Sequence, residues 1–218
     1  MMTRLAARAA SVDLWREERL AWSEGCCCVA GIDEAGRGAL AGPVVAACVV
    51  LPIDCTLTGI RDSKLLTPLQ RCEAFDRILA AARGYGVGAV PAEEIDAVNV
   101  LQATHKAMRL ALESLPGGLR PDRVLIDGLP VRPFPLSHVA LVGGDGLSIS
   151  IAAASIIAKV TRDRMMVAHD SVHPGYGFAS HKGYGSAAHL QALAELGPCP
   201  LHRRSFAPVA ATLSAFMK

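Results

Sequence analysis

The chain has 218 residues, 51% of them hydrophobic, few aromatics and a formal net charge of +2. That length suits one domain with a core built from Ala, Val, Leu and Ile, and the composition excludes a disordered or fibrous chain. The net charge is too small to mark a nucleic-acid binder, but its distribution is uneven. From Ser155 onward seven Lys or Arg stand against three Asp or Glu, with five of the seven histidines; the preceding part carries fifteen against seventeen. A basic C-terminal third facing an acidic cluster suits a polyanionic substrate bound with metal ions.

In chain order, residues 1–20 are rich in Arg and Ala, lack an apolar signal core and include Asp13, Glu17 and Glu18. They read as an amphipathic extension, so the chain divides into an extension over 1–25 and one domain over 26–218. Strand signals follow at about 28–33, 43–51, 85–90, 123–127 and 138–142, each rich in Val, Ile or Ala. The first two lie close enough to pair as a hairpin-like unit. Thr67-Pro68-Leu69-Gln70 is a capping box with proline at the first helical position, opening a helix to about Ala82. Val100, Thr104, Met108, Ala111 and Leu115 keep helical spacing up to Pro116-Gly117-Gly118. Further helices are expected from Ile151 to about Ala168 and from Ala187 to Leu196. Strands that alternate with helices in this way predict a mixed sheet with helices on its faces.

The apolar run 39–53 is too short to span a bilayer and contains Pro43 and Pro52, so no membrane segment is expected. Seven cysteines stand at 26, 27, 28, 48, 55, 72 and 199, with no CxxC pair and no histidine at zinc spacing. Reduced thiols fit the cytoplasm. Cys26-Cys27-Cys28 reads as a buried lead-in to the first strand.

The most informative segment is Gly31-Ile32-Asp33-Glu34-Ala35-Gly36-Arg37-Gly38. An apolar strand delivers two adjacent carboxylates onto a turn of two glycines and an arginine. Like charges at that spacing disfavour joint ionisation. A hard divalent cation such as Mg²⁺ or Mn²⁺ removes the cost. The glycines let backbone N–H groups approach an anion, and Arg37 offers a planar fork for phosphate. Most Asp-Glu pairs are simply solvated. Here, however, Val124-Leu125-Ile126-Asp127-Gly128 repeats the device, and Leu141-Val142-Gly143-Gly144-Asp145-Gly146 repeats it again. Active sites of open α/β sheets gather at the carboxyl ends of parallel strands, so parallel neighbours carrying Asp33 and Asp127 would share a cleft.

Downstream, Ser155 and Lys159 are four apart on one helix face, although Lys159 is also spaced to pair with Asp163. Then His173-Pro174-Gly175-Tyr176-Gly177-Phe178 and His181-Lys182-Gly183-Tyr184-Gly185 interleave aromatics with glycine and basic side chains. Such a pattern can stack on sugars or bases while touching phosphates, and it also suits an ordinary surface loop. His202-Arg203-Arg204 adds charge, for phosphates or for helix-end pairs.

Together these segments resemble the type 2 ribonuclease H family, in its bacterial ribonuclease HII branch. The matching motifs are Gly31–Gly38, Leu40–Val45, Asp62-Ser63-Lys64, Asn99–Thr104, Val124–Gly128, Ser150–Arg164, Tyr176–Tyr184 and His202–Pro208, in family order over about residues 28–210. The resemblance implies a ribonuclease H-like five-stranded mixed sheet flanked by helices, with a helical C-terminal segment. It implies an endonuclease, most simply a monomer, that cuts the RNA strand of RNA–DNA hybrids and cuts 5′ of ribonucleotides embedded in duplex DNA. Catalysis by two Mn²⁺ or Mg²⁺ ions would leave a 3′-OH and a 5′-phosphate. Carried over by position, Asp33, Glu34, Asp127 and Asp145 become the metal ligands. Gly36, Arg37 and Gly38 resemble the turn that reads the ribose 2′-OH, and Tyr184 matches a sugar-stacking tyrosine. Lys64, Ser155, Lys159 and Lys182 fall where phosphate contacts are expected. The chain departs from the family pattern at Ala39, where proline is common, at Leu65, and at Gly143 and Leu147, where basic side chains are usual.

Overall fold

In the computed structural model, which describes residues 13–53, 55–60, 63 and 66–216, five strands form one sheet. They are β1 (Val29–Ala35), β2 (Val44–Val50), β3 (Gly84–Val90), β4 (Arg123–Asp127) and β5 (His138–Leu141). Their order is β3-β2-β1-β4-β5. β1, β2 and β3 pair antiparallel, as the short β1–β2 connection requires, whereas β4 and β5 add in parallel after helical crossovers. The mixed sheet expected from the sequence is therefore present, each strand within two residues of its predicted bounds.

β2 is buried along all seven residues because both faces of the sheet are covered. On one face lies α4 (Val100–Glu113). Its Ala103, Ala107, Met108 and Ala111 meet Ala30, Ile32, Ala46 and Cys48. α2 (Pro68–Ala81) and α5 (Ile149–Val172) cover the other, where Phe75, Ile78, Ile156 and Ile157 meet Ala47 and Val49. Burying each large aliphatic side chain here contributes about 1.5–3 kcal/mol of transfer free energy. The capping box of α2 forms as expected: Thr67 Oγ1 accepts from the Gln70 backbone N–H and Gln70 Oε1 from that of Thr67. α5 outruns its predicted bounds at both ends. Ser148 caps it through Ile151 N–H, and no glycine or proline interrupts it before His173-Pro174.

β1 and α5 touch backbone to backbone. A Cβ at Gly31 would lie 2.1 Å from the Ser150 carbonyl carbon, so only glycine allows the approach. The small run Ala152-Ala153-Ala154 continues the close packing. Two elements were not foreseen. α3 (Ala92–Val98) precedes α4, and a 3₁₀ turn over Gly144–Gly146 carries Asp145. α1 (Arg16–Ser23) lies within the predicted extension, and its Ala21 packs with Val29, Leu125 and Ile151. The cysteine lead-in is only partly as expected. Cys28 is buried, but Cys27 is exposed, because both backbone N–H groups turn to the Asp122 carboxylate at 2.8 and 2.9 Å. Among the described residues no helix is long and apolar enough to cross a membrane.

The C-terminal segment is helical, as expected: α6 (Phe178–His181), α7 (Ala187–Leu196) and α8 (Ala207–Phe216). A buried histidine relay ties it together. The Cys199 backbone N–H can only donate to His202 Nδ1, at 3.0 Å. His202 Nε2–H then donates to His189 Nε2 at 3.1 Å, and His189 Nδ1–H donates to the Tyr184 carbonyl at 2.9 Å. Both rings are thereby neutral. Burial, followed by the neighbouring His189, pushes the His202 pKa down to about 4.

A lowered histidine pKa makes acid destabilising. Above about pH 6.5 neither folded nor unfolded His202 binds a proton; between there and about pH 4 only the unfolded chain does. Its share of stability is thus full above about 6.5 and falls with pH, by at most about 1.4 kcal/mol per unit. The raised carboxyl pKa of Asp33 acts with the opposite sign, so the comparison of variants isolates the histidine. Thermal unfolding at pH 7.5, 6 and 5 should show a shallower acid loss in His202→Gln than in the parent chain. Parallel curves would remove the relay from the acid response.

Candidate active site

Parallel pairing of β1 and β4 aligns Ile32 with Ile126, which sets Asp33 and Asp127 side by side one residue further on. Alternation sends Asp33 to the α5 face with Gly31 and Glu34 to the α4 face with Ile32. The two acids of the motif thus embrace the strand end from both sides. Asp33, Glu34, Gly36, Asp127, Ser155, Lys159 and Tyr184 line one cleft of about 220 Å³, with Ser63 and Arg71. On the α4 side Glu34, Arg37 and Asp127 border a recess of about 120 Å³ against Thr104, His105 and Met108.

Burial raises the Asp33 pKa well above the ordinary carboxylate range, and the charges of Glu34 and Asp127 raise it further. Hydrogen bonds from Ser155 and from the Glu34 backbone N–H, the latter at 2.7 Å, act the other way. Burial likewise raises the Glu34 pKa, opposed by Arg37, whose Nη1 lies 3.1 Å from Glu34 Oε1. Crowded, desolvated carboxylates of this kind are the donor set that a hard divalent cation satisfies. The residues fit such an ion on that ground. Among the described residues, no three acidic, histidine or cysteine side chains already converge on one coordination point.

Asp145 sits differently from its sequence prediction. β5 ends at Leu141, and Asp145 lies beyond it on the 3₁₀ turn, buried and outside the lining of the cleft. Its neighbour Gly144 donates its backbone N–H to Asp127 Oδ1 at 2.6 Å, so the turn is tied directly to the strand-end acid. Ser155 is buried: its Oγ is 2.9 Å from that of Ser63, and it bonds Asp33, an arrangement that orients the carboxylate. Lys159 makes the foreseen pair with Asp163, 2.7 Å away, and stands 5.5 Å from the centroid of the half-exposed Tyr184 ring. Lys182 turns its ammonium onto the Ala179 and Ser180 carbonyls and lines an adjoining cavity with Arg71 and Arg164. Lys64 lies outside the described residues.

Two buried arginines that sequence reasoning did not place at the site hold its loops. Arg203, fully buried, donates to the carbonyls of Gly36 and Arg37 at 2.7 Å and twice to that of Gly42. Arg162 donates to the carbonyls of Ala41, Pro43 and Lys182. Of the alternatives for His202-Arg203-Arg204, neither holds for Arg203, which is a staple for the glycine turn. Burial and the nearby Arg162 charge pull the Arg203 pKa down to about 9, which leaves it protonated at neutral pH. Gly36 has φ +91° and a Cβ there would meet Arg162 Nε at 1.9 Å, so the turn tolerates nothing larger. The available signal for Arg162 was its place on the helix stripe shared by Ser155, Lys159 and Met166. Arg71, which donates to the Ser63 and Leu66 carbonyls, was signalled only by its position in the first turns of α2.

The ribonuclease HII family model matches residues 30–209. Ribonuclease HII of Geotalea uraniireducens is 53% identical over 189 residues, 87% of each chain. That of Citrifermentans bemidjiense is 54% identical over 200 residues, 92% of this chain and 86% of the relative. Among solved structures, ribonuclease H2 from Pyrococcus horikoshii superposes with a TM-score of 0.74 at 28% identity, covering 88% of this chain and 99% of that one. Ribonuclease HII from Archaeoglobus fulgidus, solved in complex with PCNA, gives 0.69 at 27% identity, covering 82% and 95%. The chain belongs to the ribonuclease HII family, and with it to the endonucleases that cut the RNA strand of RNA–DNA hybrids.

Proposed function

We propose that Asp33, Glu34, Asp127 and Asp145 carry the family's reaction in this chain, cutting RNA in hybrids and cutting 5′ of ribonucleotides embedded in duplex DNA. The observation that carries this reading is the parallel β1–β4 pair, which holds Asp33 against Asp127 at the mouth of a cleft with Glu34 beside them. Asp33, Glu34 and Asp127 would hold Mg²⁺ or Mn²⁺, with Asp145 completing the set from its turn. When bound, the ions would supply positive charge to the attacking water and to the departing 3′ oxygen.

The chain's own residues do the positioning. Ser155 fixes the Asp33 carboxylate, and the Arg37–Glu34 pair fixes the opposite wall. The Gly36-Arg37-Gly38 turn, held by Arg203, presents backbone toward a ribose 2′-OH, the group that separates RNA from DNA. Tyr184 offers an aromatic face for the neighbouring sugar. Lys159, Arg71 and, further along, Lys182 give the phosphates sequence-independent contacts. In this reading the protein is a monomer of the cytoplasm with reduced thiols.

Asp127→Asn keeps the shape of the side chain and removes the charge. It should abolish cleavage of a duplex carrying one ribonucleotide while leaving hybrid affinity within a few-fold, measured by gel cleavage and fluorescence anisotropy. Near-normal turnover in Mg²⁺ would refute the assignment, and cleavage of an all-DNA duplex by the parent chain would favour a different nuclease on this fold. Tyr184→Ala separates sugar stacking from backbone holding. Stacking contacts are typically about 1–3 kcal/mol, so kcat/KM on the single-ribonucleotide duplex should drop about tenfold or more. The loss on a long hybrid should be clearly smaller; equal losses would make Tyr184 a structural loop residue.

A further inference from the structure

α1 places a carboxylate where the α5 N-terminus and the Asp145 turn meet. Glu18 is 1% exposed. Its Oε1 accepts from Ser148 Oγ at 2.5 Å and from the Ser150 backbone N–H at 3.0 Å. One residue pair away, the Ile149 N–H donates to the Leu14 carbonyl at 2.8 Å. Ser148 in turn donates its backbone N–H to the Gly144 carbonyl at 2.8 Å, and Gly144 donates to Asp127. A continuous hydrogen-bonded path thus runs from the N-terminal helix through Ser148 and Gly144 to Asp127, flanking Asp145. The carboxylate also faces the positive end of a 24-residue helix.

Burying a carboxylate is costly unless its hydrogen bonds return the cost, and among the described residues Glu18 Oε2 makes no hydrogen bond. In return the carboxylate satisfies donors at the start of α5, the Ser148 hydroxyl and the Ser150 N–H, which an apolar side chain of similar volume would leave unpaired.

We propose that Glu18 is a positioning residue: it fixes, through Ser148 and Gly144, the turn that brings Asp145 and Asp127 into register. Residues 13–25 are then a working part of the catalytic unit rather than an appended extension. The proposal rests on the metal-ligand roles of Asp127 and Asp145 for its effect on ion binding, but not for its effect on the turn.

The test uses the full chain and three variants. Glu18→Gln keeps the Oε1 acceptor, Glu18→Ala removes it, and Ile78→Ala, in the α2 side of the core, serves as a control of general destabilisation. Hydrogen exchange of amides 144–151, Mn²⁺ binding by calorimetry without substrate, and thermal unfolding are measured on each. Expected are exchange at least tenfold faster over 144–151 in Glu18→Ala and Mn²⁺ affinity weakened about three- to tenfold. Glu18→Gln should stay near the parent chain in both, and Ile78→Ala should lose melting temperature with Mn²⁺ affinity intact. Unchanged exchange at 144–151 in Glu18→Ala overturns the proposal, as does an equal Mn²⁺ loss in Ile78→Ala. The exchange arm decides the role of Glu18 even if Asp127→Asn leaves Mn²⁺ binding of the parent chain untouched, a result that would instead defeat the metal reading.

Discussion

Three carboxylates close together at the end of a buried sheet is the constraint from which the rest of this structure follows. Asp33 is almost wholly desolvated, and Glu34 and Asp127 press the same charge upon it. Left to itself such a group would protonate or the strand ends would splay apart. Splaying is not open while β1 is clamped between β2 and β4 and pressed on α5 through Gly31, so the strain is expressed as the raised Asp33 pKa. The electrostatic cost is concentrated at the end of the sheet that faces a cleft. A site so arranged is complementary to a cation before any substrate arrives, which is how preorganised electrostatic sites work.

Holding that end rigid falls largely to buried cations. Arg162 and Arg203 donate only to carbonyls, and those carbonyls belong to the glycine turn, the loop after it and Lys182, next to Tyr184. A planar guanidinium with several donors in a fixed fork can bind several loops at once, which a lysine ammonium in the same place could not do with the same geometry. Their burial is costly and is offset by three hydrogen bonds from Arg162 and four from Arg203, and by Asp163 and Asp96 in the field. Asp96 contributes from the C-terminal side, accepting the Arg204 and Ser205 backbone N–H groups. The histidine relay then fixes the Tyr184 carbonyl from below.

The sequence made the sheet legible because its strands are apolar runs with clear stops, and it made Asp33, Glu34 and Asp127 legible because each follows such a run. The helices α2 and α4 were readable from a capping box and from period 3.6. What stayed hidden shares one physical cause: backbone carbonyls carry no sequence signature. The Gly36, Arg37 and Gly42 carbonyls recruit Arg203 over more than a hundred residues of chain, and nothing local in His202-Arg203-Arg204 distinguishes a staple from a surface charge. Asp145 was found by its glycines, yet the 3₁₀ turn that carries it depends on Ser148 and Asp127, partners supplied by tertiary packing. Glu18 was seen only as one acid of an amphipathic extension, since its burial is decided by a serine 130 positions away.

The departures from the family pattern acquire a physical meaning in this arrangement. Gly143 and Leu147, at positions where basic residues are usual, bracket the Asp145 turn, and the surface there is apolar: Val142 is 76% exposed, Leu129 74% and Leu147 42%. On the opposite flank Arg71, Lys159, Arg164 and Lys182 crowd the cleft and its adjoining cavity. On the α4 side Arg37, paired with Glu34, borders the recess, so the cations on the two sides of the candidate acids come from different elements. Phosphate contacts supply affinity without sequence information and are released by salt in proportion to their number. The glycine turn and Tyr184, the two elements that the buried arginines and the histidine relay immobilise, stand at the mouth of the cleft between these two arrays.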